Sequence, residues 1–310
     1  MEKKPFFTGT FLQPDLGLTS WSELLWNKEF RDLKRLKMEI VIVQYTGGGE
    51  RAYYPSKLSW FSHSYNLLDS IMAAAERHKI NIFLGLYLNK DWWSNYKNIK
   101  YLRAELKRNQ FVIEELTRLY GKHPSFRGWY IPHELGNLPY LSWCQRRRLA
   151  WFFRSMAKCC KSYDATKPVS IAPFFSSQVN LAWFGRVWYQ FLKNSLLDLV
   201  MLQDGVGCKR VTIEQSKIFF AEMRKACQKA GLELWGDLEI FEQYHGYPID
   251  SLSFAAKPGD INTIKKQMEA VYPFVSNLVC FEYNHYMSIC RGEEERRLNL
   301  NYKREILSFQ

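Results

Sequence analysis

Short apolar runs alternate with longer helical patterns along the whole chain, and this alternation limits the fold more than any other feature. Strands are predicted at Phe6 to Gln13, Ile40 to Tyr45, Asn81 to Tyr87, Phe126 to Glu134, Pro168 to Phe174, Asp198 to Gln203, Glu233 to Glu239 and Leu278 to Tyr283. Helical patterns follow them at about Trp26 to Lys37, Asn66 to His78, Tyr101 to Tyr120, Ser142 to Ser162, Val179 to Asn194, Ile213 to Ala230 and Ile261 to Tyr272. A weaker helical segment runs from Glu293 to Gln310. Eight such units are the count of an α/β fold of the (β/α)8, or TIM-barrel, type. The strands are near-continuous apolar runs, as parallel strands buried on both faces should be. No connection reads as a linker, so residues 1–310 are expected to form a single TIM-barrel domain. A doubly wound open sheet is the alternative, but no Gly-rich phosphate loop follows the first strand. Gly47-Gly48-Gly49 follows the second strand without the required spacing, and reads as a flexible loop.

A hydrophobic share of 47% with 24% charged residues excludes a disordered chain. Trp, Tyr and Phe together reach 16%, and Trp and Tyr offer the flat apolar faces with polar edges that sugar-binding clefts need. The net charge of +12 points to an anionic partner such as nucleic acid, a membrane surface or an acidic glycan. The densest basic run, Arg146-Arg147-Arg148 beside Trp143 and Trp151, reads most simply as a solvated helix face. No nucleic-acid motif accompanies it, so no specific nucleic-acid partner is expected. The seven cysteines form no CxxC and read mostly as reduced core residues. The histidines form neither HxH nor HExxH, and GxSxG is absent. No metal and no cofactor are therefore expected. Neither a signal peptide nor a membrane-spanning run is visible. That predicts a cytoplasmic location for the sequence as it stands, or a secreted or periplasmic one if a leader had been removed.

In a barrel of this kind the C-terminal strand ends form the active face. The polar residues there are Gln13, Gln44, Tyr45, Tyr87, Glu134, Gln203, Asp204, Glu239, Glu282, Tyr283 and His285. Among them, Phe126-Arg127-Gly128-Trp129-Tyr130-Ile131-Pro132-His133-Glu134 is the most informative stretch. It starts as a buried strand after a turn and ends on a carboxylate just past a proline. A carboxyl delivered from an apolar wall can be held protonated at neutral pH, as a general acid must be. Glycoside hydrolysis needs two carboxyl groups flanking one bond. Strands four and seven face each other across a barrel mouth, so Glu134 with Glu239 is the preferred pair. Glu282 is the rival to Glu239, and otherwise orients a sugar hydroxyl. Asp237 points to the same face as Glu239, one layer deeper, in a hydrogen-bonding or structural role. Trp92 and Trp93 are placed equally well as stacking platforms at the rim or as caps on the barrel core.

The segments Gly9-Thr10-Phe11-Leu12-Gln13, Tyr54-Pro55-Ser56, Phe83-Leu84-Gly85-Leu86 with Trp92-Trp93, and Tyr120 to Phe126, together with Gly128 to Glu134, resemble the bacterial family catalogued as domain of unknown function 4434. The likeness spans most of the chain, and the fourth-strand motif is its most specific part. It implies a TIM barrel related to glycoside hydrolases and a sugar substrate. The wider clan of retaining glycosidases places its acid/base at the end of the fourth strand and its nucleophile at the end of the seventh, positions that Glu134 and Glu239 match. One departure is His133, where the clan often has Asn before the acid/base.

The reading is thus a glycosidase acting on an oligo- or polysaccharide, with Glu134 as acid/base and Glu239 as nucleophile. Gln13, Gln44, Tyr45, Gln203 and Tyr283 would hold hydroxyls, and Trp92 or Trp93 would stack. Tyr130, His133, Asp204, Glu282 and His285 complete the expected cleft. The alternatives are a non-catalytic carbohydrate-binding barrel and a basic interaction module for nucleic acid or an acidic polymer.

Overall fold

A computed structural model describes residues 4–136 and 138–309. Eight parallel strands close into a barrel: β1 (Gly9–Leu12), β2 (Ile40–Val43), β3 (Asn81–Gly85), β4 (Phe126–Ile131), β5 (Val169–Ile171), β6 (Leu199–Gln203), β7 (Glu233–Glu239) and β8 (Asn277–Phe281). Each pairs with its sequence neighbours, and β1 meets β8 through Gly9 beside Val279 and Thr10 beside Cys280. The outer helices are α1 (Glu23–Arg35), α2 (Leu67–His78), α3 (Ile99–Tyr120), α4 (Trp143–Tyr163), α5 (Leu181–Leu192), α6 (Ile213–Ala230), α7 (Ile261–Val271) and α8 (Glu293–Glu305). All eight expected strands are present, but several are shorter than their apolar runs. β5 ends before Pro173 and starts after Pro168, because proline has no N–H for the ladder.

Strand alternation divides the core in two. Outward residues such as Val41, Val43, Leu84, Leu234 and Leu238 pack with the helices. Inward residues such as Phe11, Ile42, Phe83, Tyr130, Met201 and Trp235 fill the barrel. Gly128 leaves room for one of them: a Cβ there would lie 2.7 Å from the Phe83 ring. Helix starts are set by side-chain caps. Ser142 with Gln145 and Thr212 with Gln215 form capping boxes, and Asn180 caps α5. The seam between β1 and β8 is covered by α8. Its Tyr302 stacks on Phe7 at 5.6 Å between ring centroids, and the Tyr302 hydroxyl accepts the Phe7 N–H at 2.8 Å.

Two loops hold structure that the pattern did not reveal. Gly47–Gly48, read as a flexible loop, pairs with Arg51–Ala52, which pairs in turn with His63–Ser64. Two-residue strands are too short to carry a period. The long connection after β7 contains an antiparallel pair, Phe241–His245 with Ala255–Pro258. All seven cysteines are free, four of them buried. Among the described residues, no helix is long and apolar enough to cross a membrane.

Candidate active site

The inward register of β7 runs Glu233, Trp235, Asp237, Glu239. Trp235 fills the barrel, while Asp237 and Glu239 rise to its C-terminal mouth. β6 sets Gln203 directly beside Asp237. β4 stops pairing at Ile131, and Pro132 carries the chain out of the sheet, so Glu134 stands three residues past the strand. Glu134, Gln203, Asp237 and Glu239 line one pocket of about 400 Å³. Trp93, Phe174, Cys208, Arg210, Phe241, Phe254 and Phe281 complete its wall. Trp93 is 51% exposed and packs against Phe174 at 5.9 Å.

Burial dominates the acidity of this cluster. It raises the Glu134 carboxyl to about 7, with the Glu239 charge adding to the shift. The Gln203 amide and the Arg210 guanidinium oppose it. Gln203 Nε2 donates to Glu134 Oε1 at 3.2 Å. Burial also raises Glu239, which is 8% exposed, but its anion has better support. The Cys208 N–H donates to Glu239 Oε2 at 2.7 Å, and Arg210 again favours the charged form. Asp237 is pushed well above the carboxylate range, first by burial and then by the charges of Asp204, Glu239 and Glu134. Its buried Oδ1 has no hydrogen-bond partner among the described residues. The pocket therefore combines a carboxyl poised to hold a proton, a carboxylate gripped by a backbone N–H, and a cation whose charge acts on both.

Glu239 is positioned from behind. Its backbone N–H donates to Asp204 Oδ1 at 3.1 Å, and Gln267 Nε2 bridges Asp204 Oδ2 at 2.6 Å and the Glu239 carbonyl at 3.1 Å. Burial first, and the Glu239 charge second, raise Asp204 to about 8. The loop that supplies Cys208 approaches closely because residue 207 is glycine.

Four residues expected from the sequence thus meet in the pocket: Glu134, Glu239, Gln203 and Trp93. Others are placed elsewhere. Asp204, expected to touch substrate, is fully buried and holds the Glu239 backbone instead. Trp92 is 1% exposed, packed on Phe152 and His133, and its Nε1 donates to the Glu134 carbonyl at 3.0 Å. It anchors the exit of β4 and has no face open to a sugar. His133 is also buried, with Nε2 3.4 Å from Glu105 Oε1 on α3, so it points behind the cleft. Tyr130 lies inside the barrel, edge-on to Phe11. Tyr283 is sealed against α1, its hydroxyl donating to Asp32 Oδ2 at 2.9 Å.

Glu282 and His285 contact each other at the β1–β8 side. Glu282 Oε2 accepts the Gln13 N–H at 2.6 Å, and His285 Nε2 lies 3.1 Å from Asp15 Oδ2. Glu282 is wholly buried in this network and is absent from the pocket wall, which weakens it as a rival to Glu239. Tyr45 donates to the Pro14 carbonyl at 2.9 Å, and neither it, Gln13 nor Gln44 lines the pocket. Sequence reasoning missed Cys208, Arg210 and Phe174. The first two sit in an irregular loop whose contribution is a backbone N–H and one cation. Their nearness in sequence to Gln203 was the available signal.

The model of the family described as domain of unknown function DUF4434 matches residues 7–291. The chain belongs to the DUF4434 family. No curated protein matches it. Several solved structures share its fold. A "putative alpha-L-fucosidase" from Bacteroides thetaiotaomicron VPI-5482 is 23% identical, with a TM-score of 0.80 over 97% of this chain and 95% of the other. An endo-beta-1,4-mannanase from Thermotoga petrophila is 13% identical, with a TM-score of 0.62 over 98% of this DUF4434 chain and 77% of the other. An intracellular xylanase from Thermoanaerobacterium saccharolyticum is 10% identical, with a TM-score of 0.52 over 91% and 89%. These likenesses establish the TIM-barrel fold that the DUF4434 chain shares with glycoside hydrolases.

Proposed function

We propose that this protein is a retaining glycoside hydrolase acting on an oligo- or polysaccharide. The observation that carries the reading is that Glu134 and Glu239, supplied by β4 and β7, open onto one pocket with different support for their charges. Sugar-cleaving enzymes among the structural relatives agree with it. The Glu239 carboxylate attacks the anomeric carbon while Glu134 gives its proton to the glycosidic oxygen, and the carbon–oxygen bond to the leaving sugar breaks. The product is an ester of the sugar with Glu239. Glu134, now ionised, takes a proton from water, and the hydroxide displaces Glu239 from the anomeric carbon. Trp93 offers its exposed face to a sugar ring, and Gln203 holds Glu134 in place.

The test is reducing-end release from a panel of glycans by the wild type, Glu134→Gln and Glu239→Ala. Glu134→Gln keeps the shape and removes the proton, so turnover should fall ~10²–10⁴-fold. Azide should restore turnover of an activated glycoside by Glu239→Ala, through attack on the face that the carboxylate vacates. Full activity in a folded Glu134→Gln protein removes the assignment. Glycan binding by the wild type without bond cleavage would make it a carbohydrate-binding barrel.

A further inference from the structure

The chain's positive charge is not evenly spread. Between residues 135 and 197 there are nine Lys or Arg and a single acid, Asp164. The helices α4 and α5 come from this stretch, lie next to each other, and carry no Asp or Glu at all. They form a groove of about 260 Å³ walled by Trp143, Arg146 and Arg147 from α4 and by Trp183 and Arg186 from α5. Trp143 is 62% exposed and Trp183 is 38% exposed. Two exposed tryptophans on one concave surface are more than the singly scattered apolar side chains of an ordinary surface.

The arginines are arranged for a ligand. The Arg147 guanidinium lies over Trp143 at 4.5 Å from the ring centroid, and that of Arg146 over Trp183 at 5.2 Å. Stacking fixes the guanidinium planes. Arg146 donates from one Nη to the Leu141 carbonyl and keeps its other N–H groups for an anion, while Arg147 makes no hydrogen bond among the described residues. Among the described residues, no carboxylate makes an ion pair with Arg146, Arg147 or Arg186. The ion pair formed from these helices is peripheral, from Lys161 to Asp198. The groove also adjoins the candidate active site through one short segment. From Glu134 the chain passes Gly136, where a Cβ would strike the Phe174 ring of the pocket wall, and reaches Pro139, whose carbonyl accepts the Trp183 Nε1–H at 2.9 Å.

We propose that the α4–α5 groove is a second, non-catalytic binding site for an anionic polysaccharide, one bearing carboxylate or sulfate groups. The arginines pair with the acidic groups, and the indole surface that the guanidinium groups leave uncovered takes the sugar rings. Charge complementarity selects the class, and the paired tryptophans beside a cleft of glycosidase type select a glycan over other polyanions. The last step rests on the proposed function, whereas the groove's preference for anions does not.

The test is binding of polygalacturonate, a sulfated glycan, a neutral glucan, single-stranded RNA and anionic lipid vesicles, measured across a salt series. The proteins are the full-length wild type, the triple variant Arg146→Gln, Arg147→Gln, Arg186→Gln, and Trp143→Ala. The acidic glycans should bind best, with affinity falling steeply as salt rises. The triple variant should bind them at least about tenfold more weakly, and Trp143→Ala should lose roughly the contribution of one stacking contact. Equal binding by the triple variant and wild type overturns the site. Tighter binding of RNA or vesicles than of acidic glycan overturns the ligand, and equal binding of the neutral glucan overturns the role of charge. Trp143 is a surface side chain, so its variant keeps the test open if the triple variant fails to fold. Acidic-glycan binding with no glycan cleaved by the wild type would support the groove while removing the glycosidase reading.

Discussion

A methyl group added at Gly207 would lie 2.7 Å from Glu239 Cβ and 2.5 Å from the Phe241 carbonyl oxygen. Neither neighbour is free to move, because one is a backbone atom and the other belongs to a side chain tied at both ends. Gly207→Ala should therefore push the loop away and lengthen the Cys208 N–H bond to Glu239. The expected result is a stability loss of ~1–3 kcal/mol, read by chemical denaturation, with a drop in glycan turnover larger than that loss explains. At this scale the sequence was legible only in part. Glu134 and Glu239 stood out because a carboxylate at the end of an apolar run is conspicuous. Gly207, Cys208 and Arg210 did not, because their roles are close approach, a main-chain donor and a single charge. The two tryptophans after β3 looked equivalent in the sequence, yet one is buried and the other faces the pocket. Adjacent residues in a short helical turn point in different directions, and only packing decides which is covered.

The exit of β4 is an element-scale device. Trp92, from the short helix Trp92–Asn95, hydrogen-bonds the Glu134 carbonyl and is enclosed by Phe152, Phe153 and His133. Trp92→Ala should cost ~3–5 kcal/mol and shift Glu134 with the loop. Trp93→Ala, on the exposed neighbour, should leave the thermal transition almost unchanged and raise KM for an oligosaccharide. Equal effects of the two substitutions on stability would contradict this division of roles. The main elements were readable from the sequence, since runs such as Ile40-Val41-Ile42-Val43 have no other stable use than a strand buried on both faces. The hairpin after β7 was not readable. Its Gln243 N–H donates to the Gly207 carbonyl at 2.9 Å, a contact between loops with no local signature.

Over the whole molecule, burial has gathered carboxyl groups that hold their protons to higher pH than free ones do. Glu134 and Glu29 are raised to about 7 and Asp204 to about 8, and Asp237 and Glu239 are raised as well. In the unfolded chain such groups ionise near pH 4. Between about pH 4 and pH 8 the folded protein thus holds more protons than the unfolded one, and stability falls as pH rises. The melting temperature should be higher near pH 5 than near pH 8, by several degrees. Asp237→Asn should flatten that slope, because it replaces a carboxyl with an unpartnered buried oxygen by a neutral group of the same shape. A melting temperature that climbs from pH 5 to pH 8 would contradict the linkage.

The family match stops at residue 291, two residues short of α8. That helix nonetheless supplies Tyr302, which clamps Phe7, and Lys303, which reaches the buried Asp32 at 2.8 Å. A boundary drawn from the shared family sequence therefore leaves out the clasp on the ring, and anyone trimming the protein to its recognised region would be opening the barrel where its first and last staves meet.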